Sequence, residues 1–449
     1  MAIHYTVFAM VISVAFIDGA LRIVNIPTFY LWKDYYKLSP GMNCLLRYIT
    51  KIPWCIKPVF ASLSDNYYIF GYRTKIYFLL TGALQAICLL LLKTPIPSLL
   101  LSTILLCIEQ VSIAFRDTLA EGLMVVLSKQ SDQNLDNSKE SSSQKYVSAI
   151  YTLRFIGNLA SNYVSGLLLN YFTPHQVIGF CAVLPIISFL QALLFFKENR
   201  VNVNEEGIEK KQLTPSEIGE FLERNSLKGY LLYVIIMLLW PNTINGIRYF
   251  LIDQLGFSTT DIGKLFTLSS LFYVLFMFIL NTWYKNYSYQ NFYSMICKMM
   301  ILNIVVRVLM MINKFKKSAF SLALVDQSIN NLFYDLPSIP LLSIICKAAP
   351  KSREATFYAV FVSIVNFCCS LANLTGYLFL DLMNISAKNY MNVNIVNYQC
   401  ALWAFMLLRL IPNISFPDRN KQIKEKNSDK DVPFREEKVL SSDSSQEDN

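Results

Sequence analysis

The strongest constraint on the fold is a series of apolar runs that recurs along nearly the whole chain. A helix needs about 20 apolar residues to cross a bilayer, and runs of this kind recur between residues 5 and 411. Hydrophobic residues make up 54% of the sequence and charged residues 16%, whereas an ordinary soluble domain carries about 25% charged residues. The sequence therefore predicts an all-α integral membrane protein that crosses the bilayer many times.

Twelve spanning helices are expected, in two groups of six. They are predicted at residues 5–29, 43–63, 76–92, 98–127, 146–171, 177–196, 228–252, 262–283, 292–312, 319–346, 355–380 and 398–411. This pattern predicts a six-helix half at 1–196, a polar central loop at 197–227, a second half at 228–413 and a disordered tail at 414–449. Residues 128–145 are also polar and serine-rich, so we expect disorder there.

The charge pattern predicts an orientation. Lysine and arginine are in excess in the loops on the same side as both termini, which places the termini in the cytoplasm. The first apolar run is too long for a cleaved signal, and no transit peptide is recognisable, which favours the plasma membrane.

Several classes of function are disfavoured by composition. The chain has ten cysteines and no CxxC, and only two histidines, so a metal site or a Ser-His-Asp enzyme is not indicated. We expect no cofactor and no enzymatic activity. The net charge of +9 needs no nucleic acid to explain it. No interaction motif is evident, so we expect a monomer.

Ionisable residues inside the predicted helices are the candidate functional residues, because a charge at bilayer depth usually faces a cavity or a partner. Asp18 and Arg22 lie four residues apart in helix 1 and can neutralise each other. Arg154 lies about 12 Å into helix 5, near the depth of Asp117, so these two are expected to cluster with Glu121. The candidates for substrate binding or proton coupling are Asp18, Arg22, Glu109, Asp117, Glu121, Arg154, Arg248, Asp326 and Asp335. Each of them has an alternative interpretation as a structural ion pair.

Two predicted helices contain proline. Trp240-Pro241 in helix 7 and Pro337 with Pro340 in helix 10 predict kinks. The backbone groups that a kink releases need partners in a cavity or on a neighbouring helix.

The loop between predicted helices 2 and 3 carries a recognisable pattern. Asp65 is followed by Gly71 and Arg73, and then by Thr74-Lys75. Gly71 suits a tight reversal, and Asp65 could accept hydrogen bonds from a helix N-terminus. The stretch resembles the loop signature of the major facilitator superfamily, in the form found in its folate–biopterin transporter branch. That resemblance implies a gating set that latches the cytoplasmic side: Lys57, Asp65, Gly71 and Arg73.

Four more segments, in the same order along the chain, are similar to this family. They are Asp117 to Glu121-Gly122, Arg154 to Gly157 with Ser165-Gly166, Leu255-Gly256-Phe257-Ser258 with Ile262-Gly263, and Pro350 to Ala359 with Ser363 and Asn366. The resemblance implies the major facilitator fold and import of folates or pterins, coupled to protons. It also places helix 9 at the periphery, so Arg307 is expected to be structural.

The chemistry of folate fits this expectation. Its glutamate tail needs cations and its flat ring needs stacking groups, and Arg22, Arg154 and Arg248 are the candidate cations. Two alternatives stay open. One is a carrier of another organic anion or zwitterion, such as S-adenosylmethionine, an amino acid or p-aminobenzoate. The other is a non-transporting membrane receptor or scaffold.

Overall fold

The computed structural model describes residues 2–134, 142–198, 200, 215–224, 227–283, 288–312, 318–348, 354–385 and 393–414. Helices account for most of this part of the chain, and one isolated bridge joins Ile69 to Tyr72. The predicted all-α architecture is confirmed.

The first six helices follow the predicted order. They are Ala2–Ala20, Leu21–Val24, Asn25–Tyr30 and Leu31–Tyr35 (together α1); Pro40–Lys51, Ile52–Ile56 and Lys57–Asn66 (α2); Lys75–Leu91 (α3); Leu99–Asn134 (α4); Ser142–Leu168 (α5); and Pro174–Phe180 with Val183–Leu194 (α6).

The next six complete the twelve. They are Lys228–Leu238 with Ile244–Asp253 (α7); Thr259–Trp283 (α8); Tyr289–Met311 (α9); Ala319–Asp335 with Ile339–Ala348 (α10); Glu354–Leu382 (α11); and Val393–Leu410 (α12). A further short helix, Pro215–Arg224, lies in the predicted central loop. The grouping into an N-half (1–196) and a C-half (228–413) stays a prediction, and we use these names for the two ranges.

Among the described residues, six helices are long and apolar enough to cross a membrane by length and composition. They lie in α1, α4, α6, α8, α9 and α11. Others are shorter or broken, such as Lys75–Leu91 and Lys228–Leu238. Together they make the chain a multi-pass membrane protein.

The expected disorder at 128–145 was wrong at both ends of that segment. α4 continues to Asn134 and α5 begins at Ser142, while residues 135–141 lie outside the described part. Extending an existing helix costs little, because each added residue gains a hydrogen bond without a new nucleation step. The tail predicted at 414–449 lies almost wholly outside the described residues.

Both predicted kinks are present, and the released backbone groups have partners. α7 is interrupted between its two segments at Pro241, and the Asn242 amide donates to the Ala372 carbonyl of α11 at 2.9 Å. α10 is interrupted at Pro337, whose carbonyl accepts a 2.8 Å hydrogen bond from the Tyr293 hydroxyl. Neighbouring helices therefore stabilise both breaks.

The two halves pack through α2 against α11 and α5 against α8. The backbones of α5 and α8 approach closely where Gly166 meets Gly263. A Cβ atom on Gly166 would lie 2.8 Å from the Cα of Gly263, closer than real Cβ atoms come. Only glycine permits this contact.

Polar contacts join the halves at the end of the bundle opposite the chain termini, which we call the closed end. Asn245 of α7 donates to Asn43 of α2 at 3.1 Å. Lys33 of α1 lies 2.7 Å from Asp253 of α7. These bonds hold α1 and α2 of the N-half against α7 of the C-half.

Candidate functional site

A cluster of charged side chains joins α2, α4 and α5. Lys57 Nζ lies 2.8 Å from Asp117 Oδ2 and 3.1 Å from Glu121 Oε2. Arg154 donates to the other Asp117 oxygen. We call Lys57, Asp117, Glu121 and Arg154 the α4 charge cluster. The structure therefore brings together the three residues that we expected from helix depth.

Lys57 belongs to this cluster and lies inside the bundle, although we predicted it as part of the gating loop. It follows the 3-10 segment Ile52–Ile56 and begins the last segment of α2. Its side chain is 3% exposed. Burying an ammonium group is costly unless it is paired, and the two carboxylates supply that pairing.

A second network runs through four helices of the N-half as a continuous hydrogen-bonded chain. Arg116 donates to Asp18 Oδ1 at 2.5 Å and to Gln85 Oε1 at 2.6 Å. Gln85 donates to Glu109 at 3.2 Å. The chain then continues from Glu109 to Gln110 and Lys51, which are bonded at 2.7 Å in each case.

Asp18 therefore pairs with Arg116 of α4, where we expected Arg22. A 3-10 segment, Leu21–Val24, interrupts the α-helical register after Asp18, so the spacing of four no longer guarantees a shared face. Arg22 is exposed and lies near Lys51 of α2.

Two side chains of α2 each have two arginines in their surroundings. Lys51 has Arg22 and Arg47 nearby, and Cys44 has Arg47 and Arg248 nearby. We call Arg22, Arg47, Lys51 and Arg248 the cationic group. It includes residues from both halves, since Arg248 lies on α7.

Aromatic rings lie against these cations. Lys51 and Lys57 each lie over the Trp54 ring, 5.3 Å from its centroid. Arg248 lies 4.6 Å from the Phe266 ring of α8. Cation–π contacts of this kind hold the side chains in defined positions.

In the described part of the C-half, Arg307 of α9 and Asp326 of α10 form a buried ion pair. Arg307 Nε lies 2.6 Å from Asp326. Its other two nitrogens donate to Thr243 and Asn330, both at 3.0 Å. Asn303 donates to the same Asp326 oxygen at 2.8 Å. This placement agrees with the expectation that Arg307 has a structural role. Asp326, which is a candidate for substrate binding or proton coupling, is bound in the same ion pair.

The predicted gating loop forms a tight turn. The Ile69 and Tyr72 backbones bond to each other in both directions, at 3.0 and 3.1 Å. Phe70 and Gly71 have φ of 53° and 80°, the left-handed values of a type I′ turn. The latch function of Asp65 and Arg73 stays a prediction, because the Asp65 side chain lies outside the described part, as does that of Asp335.

The carboxylate of Glu198 caps the helix that follows this turn. It accepts hydrogen bonds from the backbone of Thr74 at 3.0 Å and of Lys75 at 2.7 Å. The expectation that Asp65 accepts hydrogen bonds from a helix N-terminus stays a prediction. Glu198 comes from beyond α6, so the start of α3 is tied to the beginning of the central loop.

Sequence reasoning missed Arg47, Lys51, Gln85 and Gln110. Arg47 and Lys51 lie within the helix predicted at 43–63, so listing every ionisable residue in the predicted helices would have found them. The two glutamines carry no charge and gave no comparable signal. Within the described residues, no group of three His, Cys, Asp or Glu side chains could hold a metal ion.

Comparison with known proteins gives consistent matches over most of the chain. The profile of the BT1 family matches residues 18–432. Folate transporter 1 of Plasmodium falciparum (isolate 3D7) is 25% identical over 452 residues, which cover 94% of this chain and 83% of the relative. The Folate-biopterin transporter of Synechocystis sp. is 22% identical over 433 residues, which cover 94% and 84%.

Solved structures show the same fold. The crystal structure of the nucleoside transporter NupG matches with a TM-score of 0.68 at 14% identity, over 90% of this chain and 98% of that one. A proton dependent oligopeptide transporter matches with a TM-score of 0.59 at 11% identity, over 92% and 100%. These similarities confirm the predicted twelve-helix transporter fold.

Proposed function

The chain belongs to the BT1 family, and from this premise we propose that it carries folates or pterins across a membrane by alternating access. Relatives that match it along most of their length are named folate and folate-biopterin transporters. The resemblance seen in the sequence is thereby confirmed at the level of the family. The choice of substrate is our proposal for this chain.

The observation that carries the proposal is the cationic group. Arg22, Arg47 and Lys51 come from the N-half, and Arg248 comes from the C-half. A folate tail has two carboxylates, and arginine binds a carboxylate with two parallel hydrogen bonds. Cations from both halves can hold one anion between them, so that substrate binding draws the halves together.

The closed end supports alternating access. Asn43 and Asn245 hold the halves together there, and these bonds must break when that end opens. We propose that the closed end faces the cell exterior, with both termini cytoplasmic and the chain a monomer in the plasma membrane. We further propose that protons are the coupling ion.

Uptake of labelled folate, folinate and biopterin into a transport-deficient host tests the proposal, at pH 5.5 and at pH 7.4. We expect saturable uptake that is faster at acid pH and that a protonophore abolishes. Arg248→Gln and Lys51→Gln are expected to lose folate uptake. Lys228→Gln is the matched control, since Lys228 is exposed at the start of α7 and pairs with Glu223.

Two outcomes would contradict the proposed function or its binding site. If the chain reaches the cell surface and takes up none of the three compounds, the substrate proposal is wrong, and a screen of other organic anions and zwitterions follows. If uptake is normal in Arg248→Gln and Lys51→Gln, the cationic group is not the binding site.

A further inference from the structure

Glu109 differs from the other buried carboxylates of the described spanning helices in the groups that bind it. Asp18, Asp117 and Asp326 are also buried, and each of them lies 2.8 Å or less from a cation. Glu109 is 1% exposed, and its two oxygens accept hydrogen bonds from Gln85 at 3.2 Å and Gln110 at 2.7 Å. A carboxylate held by amides loses no ion pair when it takes up a proton.

Gln110 connects this carboxylate to the cationic group. Its Nε2 donates to Glu109, while its Oε1 accepts from Lys51 at 2.7 Å and from Trp54 at 2.9 Å. A glutamine side chain has one donor end and one acceptor end. Reversing the amide therefore changes the hydrogen bonds that all three neighbours, Glu109, Lys51 and Trp54, can make.

We propose that Glu109 is the proton-binding site of the carrier and that Gln110 couples its protonation to anion binding at Lys51. This inference rests on the proposed transport function and identifies the groups that would couple it to protons. Gln110 is a positioning residue here, because it acts through Lys51 and Glu109.

The step is balanced in protons and charge. A proton from solvent adds to the Glu109 carboxylate, and the resulting O–H donates to Gln110 Oε1 once the amide has reversed. Lys51 and Trp54 then lose their acceptor on Gln110, and the Lys51 ammonium donates to a carboxylate of the substrate. When the proton leaves to solvent on the other side, the amide returns, Lys51 binds Gln110 again and the anion is released. One proton crosses with one substrate molecule.

Four other ionisable side chains lie around Glu109. Lys51 of α2 and Arg116 of α4 are the nearby cations. Cys88 of α3 and Cys181 of α6 also face it. A thiol ordinarily titrates at about pH 8.5, which is above the range of pH 5.5 to 7.5 used in the test below.

The first test needs no substrate. Infrared difference spectra of the purified full chain in nanodiscs are recorded between pH 7.5 and pH 5.5. We expect a protonated-carboxyl band in the wild type and in the matched control Glu223→Gln, which alters an exposed carboxylate outside the bundle. The band is expected to be absent in Glu109→Gln. A band of full size in Glu109→Gln would overturn the proposal.

Gln110→Met gives a second spectroscopic test that does not depend on folding of the Glu109 variant. We expect its carboxyl band to persist at a shifted frequency, because the O–H has lost its acceptor. An unshifted band would show that Gln110 does not contact the protonated group.

Folate binding then tests the coupling. In the wild type and in Glu223→Gln, we expect affinity to rise toward acid pH, by at most about tenfold per pH unit for one proton. In Glu109→Gln and Gln110→Met, binding is expected to be independent of pH. An unchanged pH dependence in Glu109→Gln would refute the inference while leaving the proposed function intact. If the infrared band behaves as expected but no folate or pterin binds, the proposed substrate fails and the proton site stands.

Discussion

Two sites of buried ion pairing, the Arg307–Asp326 pair of the C-half and the α4 charge cluster of the N-half, differ in their surroundings. In the C-half, the Arg307 and Asp326 side chains are 1% and 2% exposed, and each guanidinium nitrogen of Arg307 has a protein acceptor. In the α4 charge cluster, Arg154 is 17% and Glu121 28% exposed. A sealed pair can only hold helices together, whereas a pair with an open edge can exchange partners. Access, and not residue type, separates a structural ion pair from one that can move.

The largest expected effect comes from breaking the sealed pair. Removing one partner of a buried pair leaves an uncompensated charge, at a cost of about 3–5 kcal/mol. Arg307→Met is therefore expected to lower the free energy of unfolding by that amount, measured by denaturant titration in micelles. The double variant Arg307→Met with Asp326→Leu is expected to regain part of it and to transport. A single variant as stable as the wild type would show that the pair is not structural.

In the α4 charge cluster, we expect loss of transport with little loss of surface expression. Asp117→Asn and Arg154→Gln are each expected to lower initial uptake roughly tenfold or more, as follows when an ion pair worth a few kcal/mol is lost. Unlike the sealed pair, the double apolar replacement Asp117→Leu with Arg154→Met is expected to remain inactive. Normal uptake in that double variant would show that the α4 charge cluster behaves like the sealed Arg307–Asp326 pair.

The contact of Lys57 with Asp117 allows a further test of the α4 charge cluster. Exchanging the charges as Asp117→Arg with Arg154→Asp would bring an arginine against Lys57, which lies 2.8 Å from Asp117. We therefore expect the exchange to recover transport only when Lys57→Met is added. Recovery by the exchange alone, measured by uptake at matched expression, would mean that Lys57 does not hold Asp117 during the cycle.

The cationic group is expected to show a smaller and selective effect. Arg47→Gln removes a donor to a charged ligand, worth about 1.5–3 kcal/mol, which corresponds to a KM for folate raised about 10- to 100-fold. Biopterin lacks the glutamate tail, so its KM is expected to change little. Equal losses for both compounds would place Arg47 outside the site for the tail.

The closed end is expected to give the smallest effect. Asn245→Ala removes a hydrogen bond worth about 0.5–1.5 kcal/mol and uncovers Cys44, whose Sγ lies 3.5 Å from Asn245. In a background where Cys44 is the one remaining cysteine, an impermeant maleimide is expected to label it several-fold faster. A Cys44→Ser chain gives the background labelling. An unchanged labelling rate in Asn245→Ala would count against a gate at the closed end.

The features of the fold that depend on the local sequence were predictable. Apolar length predicted the spanning helices, proline predicted the breaks in α7 and α10, and helix depth predicted the contact of Asp117 with Arg154. The partner of Asp18 was not predictable, because a 3-10 segment changes the register after it. The position of Lys57 depends on another such segment in α2. Uncharged Gln85 and Gln110 become informative only when the helices that carry them are placed side by side.

The contact of Gly166 with Gly263 has a mechanical consequence. Two backbones meet there with no side chain between them, so at this point α5 and α8 can shift against each other without displacing a side chain. Carriers of this architecture work by rocking one half against the other. Such motion requires a contact between the halves that can shift easily. A methyl group at either glycine would force α5 and α8 apart and hinder the motion of one half against the other.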